Sequence, residues 1–557
     1  MIVLKRIKKT LFGSKTKRTI FPDWNAILSS KSAEWLQAKS RAQNGPRILI
    51  ATSAGAHRAL APVENALAVA LTLRGANVHF LMCDEFLPTC WKALSTQFQS
   101  VADFCRHGLK RTKCRKCFSR GKEVRRFLGL PIHVYSENIA RIERNHVDRL
   151  AQSIEANSIP TYRENGIAIG EHSLAGALRF FARGSLEEEP LGEVVLRRYF
   201  KAALLSRLVL QRLLGTIKFD AVICYHGIYI PEGIIGEVTR QNSIRVVNWL
   251  TAYRKRCFIF SHGDTYHHTM MSEPVELWHN LPWNEKLEST LMSYLKSRWH
   301  GTEDWISFVH KNPQVDLPAE FLPGIDFSKP LIGMLTNVVW DAQLHYPANA
   351  FPNMLHWVMR TIEYFSRRSD LQLLIRVHPA EISGIVPSRQ PILPEILKHF
   401  PNLPKNVFII PPESPLSTYA AMLKCDSVII YGTKTGVELT SLGIPVIVAG
   451  EAWIRNKGFT FDASCIDDYF NILDRLPLAT GLDNALTTRA RKYAFHYFFR
   501  RMIPLSFIEL IQEWPFYQLS LETIDPLKPG NDVGMDIICD GILRGSPFIY
   551  PAEREAD

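Results

Sequence analysis

One unit recurs in both halves of this chain and limits what it can fold into. It is a short apolar run, a loop bearing glycine, and then apolar residues at helical spacing. Residues 47–53 (RILIATS) form such a run, followed by Ser53-Ala-Gly-Ala-His57 and a helix-like pattern over 61–73 that Arg74-Gly75 stops. A second run follows at 77–83. Strand, glycine loop, helix, strand is the opening of a parallel α/β sheet. The run 219–225 (FDAVICY) is continuously apolar, as expected of a strand buried on both faces. A helix pattern at 232–240 and a strand at 245–250 complete another unit, and a long helix is expected over 194–214.

The second half repeats this grammar. Strands are expected at 331–336, 371–377, 407–410, 427–431 and 446–449, with helices at 354–367, 416–424 and 435–442. The fold class is therefore α/β, with two doubly wound domains, a cysteine-rich insertion and a C-terminal extension. The expected divisions are a basic arm at 1–44, a first domain at 45–275 with the insertion at 84–135, and an interdomain segment at 276–324. A second domain is expected at 325–485 and a helix with a tail at 486–557. The tail from residue 514 carries no readable fold.

Composition excludes other classes. With 46% hydrophobic and 22% charged residues the chain is neither disordered nor a coiled coil. Its net charge of +12 is local: residues 1–20 hold seven Lys/Arg and no acid, and 106–126 hold ten Lys/Arg and one Glu. The remainder is slightly acidic, so charge does not argue for nucleic-acid binding. Lys5, Arg6, Lys8, Lys9, Lys15, Lys17 and Arg18 read either as a solvated arm or as a weak tether to an anionic membrane surface. No apolar run of transmembrane length and no secretory signal pattern are present, which places the chain in the cytoplasm, with peripheral inner-membrane association if the tether operates. The ten cysteines are then expected as thiols. Cys114 and Cys117 have the C-x-x-C spacing of a zinc grip, and Cys105, Cys90 or His107 are the candidates to complete four ligands. Unliganded thiols or a redox pair account for the same spacing.

Four constellations are expected at the carboxyl ends of the strands, where ligands bind in open α/β sheets. Tyr431-Gly-Thr433-Lys434-Thr435-Gly436-Val-Glu438 runs from a strand into a helix start. Its N–H groups, hydroxyls and Lys434 suit a phosphate, and Glu438 suits a ribose. Arg376 and His378 close another strand ahead of Pro379 and suit a diphosphate. His57, in the first glycine loop, has the chemistry of a general base. Asn337 and Asp341 follow the second domain's first strand. His226 and Asp264 are candidates at the acceptor side, and His262 and His267 add a weaker metal alternative. Each has an ordinary structural alternative as a turn, cap or packing residue. No strand-bounded D-x-D is present, which argues against a metal-dependent sugar transferase of the single-sheet type.

These residues carry a resemblance. TNVVWDA (336–342), RVHPAE (376–381), residues 411–453 and the adjoining Lys457-Gly458 resemble capsule polysaccharide biosynthesis proteins among the GT-B glycosyltransferases. The pattern G-x-x-x-G-x-E-x-x-x-x-G-x-P-V-I (432–447) is similar to that of capsule Kdo transferases and polyglycerol-phosphate transferases. The resemblance implies two facing Rossmann-like domains, a nucleotide-activated sugar on the second, and a polysaccharide or lipid-linked acceptor activated by His57, for which His226, read from its place after a strand, is the alternative base. It implies catalysis without a cofactor, zinc at most being structural. A glycerol-phosphate transferase and a non-catalytic capsule assembly or export protein are the alternatives. His378→Ala and Glu438→Ala are expected to cut donor turnover while leaving the fold intact.

Overall fold

The computed structural model describes residues 21–305, 313–314, 323–342, 344, 347–384, 386–478 and 481–554. The seven basic residues of the arm lie outside this set. Two sheets organise the chain. The first contains β1 (Arg47–Ile50), β2 (Asn77–Met82), β3 (Ile132–Val134), β4 (Ala221–Tyr225), β5 (Arg245–Thr251) and β6 (Cys257–His262). The second contains β7 (Leu331–Leu335), β8 (Gln372–Arg376), β9 (Val407–Ile410), β10 (Ser427–Ile430), β11 (Val446–Val448) and β12 (Phe461–Asp462). β13 (Ile503–Pro504) returns to the first sheet.

The strand orders are β3-β2-β1-β4-β5-β6-β13 and β9-β8-β7-β10-β11-β12. All pairings are parallel except those of β6 with β5 and β13. Each sheet thus reverses its winding once, between β1 and β4 and between β7 and β10. The apolar runs become strands because both faces are covered: β1, β4, β7, β8 and β10 are buried almost throughout. This is the doubly wound α/β architecture with two Rossmann-like domains.

Several elements were not legible. β6 runs antiparallel through Cys257–His262, inside a stretch that reads as a histidine cluster. The insertion is helical at Val101–His107 and Arg111–Arg126 and supplies β3 at the sheet edge. The tail is folded. The helix Asn484–Phe495 continues through a π-helical turn, His496–Arg500, into β13. A hairpin follows (Ile508–Leu510 with Tyr517–Leu519), then a helix (Val533–Arg544) that packs on Ala61–Leu73. Arg245 Nη1 donates to Ile542 O at 2.8 Å and Arg74 ion-pairs Asp536, so the tail belongs to the first domain. No helix of the described residues is long and apolar enough to cross a membrane.

Candidate functional site

The two winding reversals gather the candidate residues. The loops after β1 and β4 carry His57 and His226, and those after β7 and β10 carry Asn337, Asp341, Thr433 and Lys434. At such a reversal neighbouring loops diverge and leave a crevice at the strands' carboxyl ends.

The two crevices meet. Tyr229 donates its hydroxyl proton to Asp341 Oδ1 at 2.9 Å and accepts from Ala342 N–H at 3.0 Å. Lys434 Nζ sits 4.6 Å from the ring centre of Tyr253 in the first domain. His268 Nε2 lies 3.0 Å from Leu344 O, and its Nδ1 3.0 Å from Asp264 Oδ2. His226 stacks on His267 at 5.3 Å, which in turn faces Trp453 of the second domain at 5.9 Å. Lys457 Nζ donates to Met271 O and Glu273 O across the same seam.

The second domain's side holds a cavity of about 320 Å³ lined by Trp299, Arg376, Pro379 and residues 412–419. Trp299 stacks on Tyr419 at 5.7 Å with rings nearly parallel. Arg376 is committed to shaping this wall: its guanidinium donates to Pro411 O and, at 3.2 Å, to Ser414 O. Burial holds it down to about 10, with Glu413 opposing. Ser417 Oγ is buried here without a hydrogen-bond partner, as is Asn337 Oδ1 in the loop after β7. Orphaned buried polar atoms of this kind are uncommon and mark places where a ligand's polar groups can enter. Sequence reasoning passed over Trp299, Ser417 and Tyr419. The Pro/Ser-rich loop after β9 was their one visible signal.

His378 is fixed at the end of β8. Its N–H donates to Thr336 Oγ1 at 3.1 Å and its Nδ1 accepts from Ala380 N–H at 3.0 Å. Burial, then Lys434 and Arg376, press its pKa to about 4, so near neutrality it is an uncharged imidazole. Lys434 falls to about 8 through burial and Arg298, with Glu438 opposing, and stays mostly protonated at pH 7. Thr433, Thr435 and Gly436 form the turn into the helix Thr435–Ser441, and Thr433 Oγ1 accepts from Thr435 N–H at 3.4 Å.

Glu438 is 1% exposed, and its Oε1 has no hydrogen-bond partner. Arg298 Nε is 3.1 Å from its Oε2, Tyr419 hydroxyl donates to the same oxygen, and Lys434 Nζ is 3.7 Å from Oε1. Arg298 also pairs with Asp304. The hydrogen bond from Tyr419 joins Glu438 to the cavity, which the Tyr419 side chain lines.

The first domain's candidates divide. His57 is wedged between Trp91 at 5.2 Å and Trp514 at 5.3 Å, and burial, then Lys92, press it to about 3. Trp514 belongs to the tail, so the tail covers this histidine. His226 stands at φ +64° within the seam, well below its ordinary pKa through burial, with Nδ1 lacking a partner. Asp264 is occupied by His268, Thr265 N–H and Arg240 rather than presented to an acceptor.

The cysteine grip does not assemble. Cys114 and Cys117 share the helix Arg111–Arg126 and Cys105 lies on the preceding one. Among the described residues no three His, Cys, Asp or Glu side chains are placed to hold a metal. His262 is drawn instead to the tail, 2.9 Å from Ser546 O and stacked on Phe548. The donors therefore do not fit a zinc site.

The sequence matches no known family model and no curated protein. Among solved structures the chain is similar to a KpsC β-Kdo 2,4 transferase from Thermosulfurimonas dismutans: 13% identity, 49% of this chain, 79% of that one, TM-score 0.34. A KpsC β-Kdo 2,7 transferase of the same organism gives 14%, 58%, 88% and 0.31. A sucrose-phosphate synthase from Thermosynechococcus elongatus gives 10%, 81%, 95% and 0.26. At these scores none of them decides what this chain does.

Proposed function

We propose that the chain is a metal-independent glycosyltransferase of GT-B type that uses a nucleotide-activated sugar in bacterial capsule or other surface polysaccharide synthesis. One observation carries the reading: the winding reversals of two Rossmann-like sheets face each other, with an unpartnered histidine nitrogen on one side and a lysine-bearing Gly/Thr turn on the other. The donor's nucleoside enters the cavity against Tyr419 and Ser417, whose size is at the lower end for small-molecule sites. Its phosphate meets the 433–436 turn, Lys434 and the neutral His378. Donors placed where leaving-group charge develops do the work a metal does elsewhere.

The acceptor hydroxyl attacks the anomeric carbon as the bond to the phosphate oxygen breaks, and the hydroxyl proton passes to a base. His226 suits that role better than His57: Nδ1 of both lacks a hydrogen-bond partner, but that of His226 lies in the seam while His57 is packed under the tail. Both are uncharged at pH 7, and the burial that keeps them so also lowers their basicity.

A thermal-shift screen with UDP, GDP, CDP and CMP identifies the nucleotide, since a ligand of the folded state raises Tm. His378→Ala is expected to cut turnover about a hundredfold or more while Tm stays close to wild type. A wild-type rate in that variant rejects the site. Phosphorus retained in the product would replace sugar transfer with glycerol-phosphate-type transfer.

A further inference from the structure

The helix Arg111–Arg126 does not serve the metal role its cysteines suggest, and its other face points to a different one. Cys114, Cys117, Phe118, Gly121 and Arg125 face the domain, at the spacing of one helical stripe. Arg111, Lys113, Lys116, Arg120, Lys122 and Arg126 are exposed on the remaining surface, with Glu123 the one acid among them. The basic arm enters the described structure beside this face: Arg120 lies 4.8 Å over the ring of Phe21, the first described residue. Phe21 directly follows the first cationic window in sequence, and it packs on the helix that carries the second.

The same helix grips the first glycine loop. Gly121 and Gly55 touch backbone to backbone, so that a Cβ on Gly121 would meet Gly55 C at 2.5 Å. Arg125 Nη1 donates to Gly55 O at 3.1 Å. Two residues on, His57 and Arg58 carry the hairpin tip of the tail, with Arg58 5.9 Å over Trp514. That tip exposes apolar side chains: Trp514 at 40%, Phe516 at 43% and Leu510 at 39%. Phe127, which ends the basic helix, is 38% exposed. The tip carries Glu513, so its own contribution is apolar and the positive charge comes from the helix and Arg58.

We propose that the helix Arg111–Arg126 and the 514–516 tip form a docking face for an anionic phospholipid bilayer. Clustered cations beside exposed Trp, Phe and Leu are the combination that the headgroup region takes up: phosphates neutralise the cations, and the apolar side chains enter the interface. A soluble polyanion would use the cations and leave Leu510 and Phe127 in water. The assignment is independent of glycosyl transfer. If that reading also holds, docking brings the 51–57 loop to the surface on which a lipid-linked acceptor resides.

Flotation of the full chain with vesicles tests the face, using phosphatidylcholine alone and phosphatidylcholine with about a third phosphatidylglycerol. Binding to the anionic vesicles, weakened by salt, is expected, with little to the neutral ones. The variant Lys113→Glu/Lys116→Glu/Lys122→Glu is expected to bind roughly tenfold or more weakly, and Trp514→Ser/Phe516→Ser roughly threefold more weakly. The lysine variant should keep the wild-type Tm, since its changed side chains are exposed, while binding of the tip variant is read alongside its Tm because Trp514 also packs on His57 and Arg58. Removal of residues 1–20 should weaken binding and preserve the lipid preference. Equal binding to neutral vesicles, unchanged binding of the lysine variant, or complete loss on removing the arm overturns the assignment. Retention of dextran sulfate without vesicle binding overturns it in favour of a soluble polyanion. Donor binding, read separately by thermal shift, stands or falls independently of every arm.

Discussion

In each domain a helix that leaves a winding-reversal strand buries a glutamate at its fourth residue. Glu64 is the fourth residue of Ala61–Leu73, after β1, and Glu438 the fourth of Thr435–Ser441, after β10. Both are 1% exposed and both meet an arginine from outside their sheet. Arg125 comes from the basic insertion, with Nη2 3.2 Å from Glu64 Oε2, and Arg298 comes from the interdomain helix Glu285–Arg298. Their proton affinities nevertheless diverge. Burial lifts Glu64 to about 7, with Arg125, Thr52 and Trp249 opposing but not prevailing. Burial also pushes Glu438 upward, but Arg298, Lys434 and Tyr419 outweigh it and hold the carboxyl below its ordinary value. One cation does not offset desolvation of a fully buried carboxylate; two cations and a phenol do. The first pair is a structural joint near its neutral state, and the second a charged frame behind the cavity.

The hardest test of this contrast is Arg298→Met. It strands Glu438 and Asp304 at once, and losing one partner of a buried ion pair costs about 3–5 kcal/mol. Urea unfolding at pH 7 should show a loss of that order, and a loss within ordinary surface-mutation scatter would mean the frame is not charged. The same geometry retires Glu438→Ala as a test of donor contact, because Tyr419 and Arg298 would be released with it.

The next test uses pH. Glu64 holds its proton more tightly folded, at about 7, than unfolded near 4.5. Its contribution is therefore full below the unfolded value and is lost as pH rises through about 7, by roughly 3 kcal/mol. Glu438 has the opposite sign: its contribution is present above the unfolded value and is lost as pH falls through the lower folded one. Glu64→Gln, which mimics the protonated carboxyl, should lower the slope of the stability profile between pH 5 and 7, where Glu232 and Glu381, also lifted to about 7 by burial, keep the rest, and should leave the acid limb in place. An unaltered slope in that window would remove Glu64 from the account.

The sequence disclosed the strands and the reversal loops because buried parallel strands are written as apolar runs and their loops as Gly, Thr and Pro. Glu438 was visible within G-x-x-x-G-x-E, but its partner was not, since Arg298 ends a helix in a segment with no strand pattern. Arg125 was hidden more deeply. It is one of ten cations in a window of 21 residues, and only the Gly55–Gly121 contact makes it the one that turns inward. The seam between domains, where Tyr229 meets Asp341, pairs residues over a hundred positions apart, and no local periodicity reports such a pairing.

The smallest effect, and the sharpest for the first joint, comes from Gly121→Ala. The added methyl would sit 2.5 Å from Gly55 C and 2.7 Å from Gly55 Cα, with backbone rather than a yielding side chain in its way. Helix and loop must separate by several tenths of an ångström, an overpacking cost of about 1–3 kcal/mol. Separation stretches the Arg125–Gly55 and Arg125–Glu64 contacts together, so part of the support that Arg125 gives Glu64 is lost. The carboxyl should then hold its proton to still higher pH, and the falling limb of the stability profile should move up the pH axis. In a double variant with Glu64→Gln that displacement should vanish while the packing cost remains. If the limb stays where it is in wild type, the basic helix and the buried carboxylate are not coupled through Arg125, and the contrast with Glu438 rests on desolvation alone.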